Sequence, residues 1–140
     1  MTPWKLYLYS PWPGVTPVKD WLEEQDDYAI KAEFDVTIQF FRANDDWSES
    51  YGVRELAGKY LGLHEIVITV DLDDGQVEFG AIGKYKLNSN QFVLFAVCDK
   101  FGDTYTDCLD RALEFAKAWE ANDPKGDLYD YDDLEQVGQE

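Results

Sequence analysis

The stretch EIVITVDLDDGQVEFGAIGKYKL, residues 65–87, decides the fold. Its first six residues are mostly β-branched and read as a strand. DLDDG (71–75) then supplies the Asp and Gly of a tight turn, and QVEFGAIGKYKL (76–87) returns as a second strand. LNSN (87–90) marks another turn before QFVLFAVC (91–98), whose near-continuous apolar character predicts a strand buried within the sheet. Three closely spaced strands with short connections predict an antiparallel meander.

Working outward, KLYLYS (5–10) reads as a short strand ended by PWPG (11–14). Thr16-Pro17 fits an N-cap followed by proline at the first helical position, with Val18, Trp21 and Leu22 on one face of the helix. Ile30, Phe34, Ile38 and Phe41 recur at helical spacing and predict a second helix over 29–42. Residues 44–62 are polar and glycine-punctuated, with a turn of helix expected around 53–60. Leu109, Ala112, Leu113, Ala116 and Trp119 predict a closing helix over 106–120. The expected architecture is α+β, with helices covering one face of an antiparallel sheet. Residues 1–122 form the domain, and 123–140 are set apart as an acidic C-terminal tail with seven carboxylates against one lysine.

The whole chain of 140 residues holds 29 Asp and Glu against 12 Lys and Arg, a net charge of −17. Such a surface repels phosphate backbones and anionic membranes, and it suits a basic partner. No apolar run approaches a membrane span. MTPWKLYLYSPWPG lacks the basic start and uninterrupted apolar run of a secretory signal. The expectation is a cytoplasmic protein with Cys98 and Cys108 as free thiols, although the two can pair if the end of the strand meets the start of the helix.

The order and spacing of several motifs are similar to those of the RelE/ParE toxin superfamily, and closest to its HigB-like, phage-derived branch. VKDWL (18–22) resembles the first-helix motif and VRELAGKYLGLHEIVI (53–68) the segment ending in L-x-E-L-R. QFVLFAVCDK (91–100) resembles the apolar strand leading to a lysine pair, and CLDRALEF (108–115) the terminal helix. The resemblance implies a RelE-like fold, a helical hairpin on an antiparallel sheet. Where the family is active, it also implies ribosome-dependent cleavage of messenger RNA by Lys and Arg on the sheet. Arg54, Lys59 and Lys100 match basic positions, and Lys84 and Lys86, toward the far end of their strand, can compensate for missing ones. Val67 stands where a strand arginine is expected, Glu78 and Gly80 stand near the second, and Phe101 replaces the second lysine. Each lost donor of this kind is worth roughly 10²–10³ in rate.

The preferred reading is therefore a non-catalytic acidic binding protein, a phage or mobile-element inhibitor that mimics nucleic-acid charge toward a basic, nucleic-acid-binding partner. Its contact residues would be Asp127, Tyr129, Asp130, Tyr131, Asp132, Asp133 and Glu135, with tyrosines supplying rigid contact area beside the charges. The alternative is a divergent toxin acting through Arg54, Lys59, Lys84 and Lys100, with an antitoxin and the ribosome as partners. The acidic clusters 23–27 and 45–46 also fit plain solvated faces. His64 is a candidate general base or simply a strand-edge residue. DLDDGQVE (71–78) departs from the EF-hand spacing and reads as a hairpin turn. No cofactor or metal is expected.

Overall fold

The computed structural model describes residues 4–43, 52–86 and 90–134. Lys5–Ser10 forms β1, Pro17–Glu24 α1, Tyr28–Arg42 α2, Val53–Glu55 β2 and His64–Leu72 β3. Gly75–Lys86 forms β4, Gln91–Asp99 β5, Tyr105–Glu120 α3 and Asp127–Asp130 β6. The strands make one sheet in the order β2-β3-β4-β5-β1-β6. The α+β class and the β3-β4-β5 meander follow the sequence reading. The 44–51 part of the polar stretch, with the 45–46 acidic pair, and 87–89 of the LNSN turn lie outside the described residues.

Local chemistry sets the helix starts. Proline opens α1, but the Thr16 hydroxyl does not cap it; it hydrogen-bonds Ser10 Oγ at 2.6 Å. The Thr16 backbone N–H instead donates to Asp20 Oδ2 at 3.2 Å. At α2 the Asp27 carboxylate accepts from the Ala29 N–H at 2.9 Å, a side-chain cap. The two-residue turn between β3 and β4 closes with Leu72 opposite Gly75, whose φ of 137° suits only glycine.

Three expectations are corrected. First, helices cover both sheet faces. Val18 and Leu22 of α1 and the four predicted residues of α2 pack on one face, whereas Leu109, Ala112 and Ala116 of α3 pack on the other. The apolar run of β5 is the reason, since Phe92 and Leu94 face the first layer while Val93 and Phe95 face the second. Second, the sheet is not wholly antiparallel: β1 pairs parallel with β5, from Lys5 opposite Gln91 to Leu8 opposite Leu94. Third, the residues read as a helical turn include strand β2, which pairs with β3, ahead of a short 3₁₀ turn at Gly58–Tyr60.

The thiols are not free. Cys98 near the end of β5 and Cys108 in the first turns of α3 form a disulfide across a sequence separation of 10, their Cα atoms 5.7 Å apart. No helix among the described residues is long and apolar enough to cross a membrane.

Within the segment set apart as a tail, β6 pairs antiparallel with β1, and Tyr131 directly after it is only 2% exposed. Its hydroxyl donates to Asp35 Oδ1 on α2 at 2.8 Å. Asp132 takes a bidentate pair from Arg42, at 2.7 and 3.1 Å, and the Arg42 Nε donates to the Trp4 carbonyl.

Two outcomes test this account. Tyr131→Ala is expected to cost about 3 kcal/mol or more in denaturant unfolding, and Tyr131→Phe about 1 kcal/mol for the lost hydrogen bond. Opening the disulfide by Cys98→Ser with Cys108→Ser is expected to lower stability by roughly 2–3 kcal/mol, given the short loop it closes. An unchanged unfolding midpoint in the double variant would count against the pairing.

Candidate functional site

The residue at the centre of the basic cluster is an acid. Glu65 lies on β3 directly opposite Arg54 of β2, and its side chain is fully buried. Its room comes from Gly80 on β4, where any Cβ would occupy the space of the Glu65 carboxylate. Lys100 follows β5 and is anchored by its backbone N–H to the Glu78 carbonyl at 3.0 Å. Tyr105 is the first residue of α3.

These three side chains converge on Glu65. Arg54 Nε and Lys100 Nζ both donate to Oε1, at 2.9 and 2.7 Å, and the Tyr105 hydroxyl donates to Oε2. Lys100 also sits over the Tyr105 ring, 5.3 Å from its centroid. Burial pushes the Glu65 pKa up, but the hydrogen bonds from Lys100, Tyr105 and Arg54 outweigh it and hold the carboxyl below its ordinary range. Burial, followed by the bond to Glu65, raises the Tyr105 phenol to about 12, so it stays a neutral donor near pH 7. The two cations are not equivalent: the Lys100 side chain is 18% exposed and that of Arg54 57%. Lys100 is therefore the partner whose charge has least access to water.

The other two candidate cations lie elsewhere along α3. Lys59 binds Asp110 Oδ1 at 2.8 Å, where the Tyr60 hydroxyl also donates, at 2.5 Å. The bonds from Lys59 and Tyr60 hold the Asp110 carboxyl below its usual range. Lys84 donates to Glu120 Oε1 at 2.5 Å. Tyr105 and Glu120 are the first and last residues of α3, roughly 22 Å apart at 1.5 Å per residue. Of the four residues, only Arg54 and Lys100 meet. Val67 faces Gly80 in the register of β3 and β4, and Thr69 faces Glu78, so no basic side chain of these strands joins them there.

The seven carboxyl-terminal residues that the sequence nominates for partner contact also divide. Asp127 and Asp133 are exposed, and Tyr129 is half-buried with Lys19 5.8 Å from its ring centroid. Asp130 accepts from the Asp132 N–H at 2.9 Å and lies 3.8 Å from Lys5 Nζ. Tyr131 and Asp132 are committed to Asp35 and Arg42, so Tyr131 supplies core packing and not contact area. Glu135 lies outside the described residues. The His64 ring packs edge-on against Tyr85 with centroids 4.7 Å apart. At the β3–β4 turn, Gln76 binds Asp71 at 2.8 Å. No cluster of three His, Cys, Asp or Glu able to hold a metal occurs among the described residues.

Sequence reasoning passed over Glu65 and Tyr105. The available signal was a single acid inside the β-branched run HEIVITV, in register with an arginine and near a glycine on the next strand.

The depressed pKa fixes a sign. Glu65 contributes stability that is complete above its unfolded pKa, about 4.3, and is lost as pH falls through its lower folded value. Glu65→Gln leaves Lys100 without its anion and is expected to cost roughly 3–5 kcal/mol at neutral pH. In denaturant titrations the gap between Glu65→Gln and the parent should narrow below about pH 4. A gap independent of pH would show that the carboxylate charge is not what matters.

Comparison with known protein families, curated proteins and solved structures finds no match for the chain.

Proposed function

We propose that this chain is a non-catalytic, acidic binding protein on a RelE-like scaffold, acting in the cytoplasm as a phage or mobile-element inhibitor. Its target is a basic partner, a nucleic-acid-binding enzyme or complex whose phosphate-binding surface it occupies by charge mimicry. One observation carries the reading: each of the four basic residues that could serve an RNA-cleaving site is held by a carboxylate of the same chain. Arg54 and Lys100 share the buried Glu65, Lys59 has Asp110, and Lys84 has Glu120. A phosphate arriving at Lys100 would have to compete with an anion already in place at 2.7 Å. The net charge of −17 would oppose its approach as well. In the cytoplasm the thiol pool favours the reduced form of Cys98 and Cys108, so binding there should not depend on the disulfide.

A second reading has one observation in its favour. Arg54, Lys100 and Tyr105 do meet at a single point, as a divergent ribosome-dependent messenger-RNA endoribonuclease with an antitoxin partner would require. Induced expression in bacteria separates the two. The expected outcome is normal growth with intact messenger RNA. Growth arrest with RNA cleavage, abolished by Arg54→Ala or Lys100→Ala, would establish the toxin reading in its place.

A further inference from the structure

We propose that the partner is engaged around Trp12, and that an arginine- or lysine-bearing segment of a protein enters the cleft between the β1–α1 turn and α3. The inference rests on the acidic-binding reading and names its surface. Trp12 is 50% exposed at the tip of the turn that follows β1. The turn is fixed in place: Trp12 and Val15 form an isolated β-bridge, with the Val15 N–H donating to the Trp12 carbonyl at 3.1 Å. An indole held out on a rigid turn loses little freedom on binding, and tryptophan is the side chain that most often anchors interfaces.

Beside Trp12 lies a cleft of 570 Å³ with Trp21 and Phe115 on its walls and Asp20, Glu24 and Glu114 around it. This volume falls in the range of ligand clefts, roughly 300–1,000 Å³. Glu24 and Glu114 are exposed and make no ion pair among the described residues. Asp20 keeps its carboxylate on the Thr16 N–H. Arg111 is the cation among the lining residues, so three acids face one base.

Aromatic rings beside uncommitted carboxylates are the chemistry that recognises a guanidinium or ammonium group, the ring face attracting the cation while the carboxylate takes its protons. A second copy of the chain is a poor occupant, because two surfaces of this net charge repel. Nucleic acid is repelled for the same reason. Trp12 also lines a second cleft, of 480 Å³, together with Asp127 and Tyr129 of β6. Two of the residues that the sequence nominates for partner contact therefore share a cleft with the same exposed indole.

The test is calorimetric titration of the full chain with octa-arginine, with octa-glutamate as control. At about 0.15 M salt the screening length is near 8 Å, which suppresses diffuse attraction. Trp12→Ala, and separately Glu24→Gln with Glu114→Gln, should each weaken octa-arginine binding at least tenfold. Asp73→Asn with Asp74→Asn, which removes an equal charge at the β3–β4 turn, outside the residues that line the cleft, should change it less than twofold. Equal weakening in the two double variants, or none with Trp12→Ala, would overturn this surface while leaving an acidic binding protein. No binding of octa-arginine to the parent chain would overturn both.

Discussion

The buried Glu65 carboxylate requires three separated parts of the chain to be in place at once. β2 brings Arg54, the residue after β5 brings Lys100, and the start of α3 brings Tyr105. A carboxylate taken out of water is costly unless its lone pairs are filled, and removing one donor from a well-filled set costs more than the average worth of the bond. The cluster thus links the sheet edge, the strand end and the helix start. The Cys98–Cys108 disulfide holds the same junction, closing the segment that carries both Lys100 and Tyr105.

A second set of polar contacts closes the opposite side of the sheet. Arg42, at the end of α2, reaches the Trp4 carbonyl and the Asp132 carboxylate together. Tyr131 fills the space beside Phe34 and fixes its hydroxyl on Asp35. Burial, then the bond to Asp35, raises the pKa of that phenol far above its ordinary value, so it remains a donor throughout the physiological range. These acids serve the interior of the fold. Exposed carboxylates outside these contacts include Glu24 on α1, Glu114 on α3 and Asp127 at the start of β6.

Periodicity exposed most of the elements. The β-branched run 65–70 and the apolar run 91–98 became β3 and β5, and all four predicted residues of α2 are buried. The parallel pairing of β1 with β5 could not be read, because a contact between residues separated by more than eighty positions leaves no mark on local pattern. β2 was hidden because VRE is three residues long and two of them are charged. Composition misled at the carboxyl end: DLYDYDDLE reads as a solvated acidic run, yet one tyrosine in it is a core residue. At the candidate site, Arg54 and Lys100 were legible as basic positions. Their shared partner was not, since a lone glutamate in a strand looks like a solvent-facing residue until the register places it.

The position of β1 sets an order of events during synthesis. Among the described strands it is made before the others, yet it lies between β5 and β6, which are made after the rest. Its partners begin at Gln91 and Asp127, so one edge stays unpaired while roughly 90 further residues are added and the other while about 120 are. At the usual 5–20 residues per second that wait is on the order of ten seconds. Leu6 and Leu8, both fully buried in the finished protein, spend it without their neighbours in the sheet. The helical layer of α1 and α2 can form early, but the sheet beneath it is completed only when nearly all of the described chain exists. High carboxylate content along the nascent chain has a use in that interval that has nothing to do with any target: like charges keep incomplete copies apart.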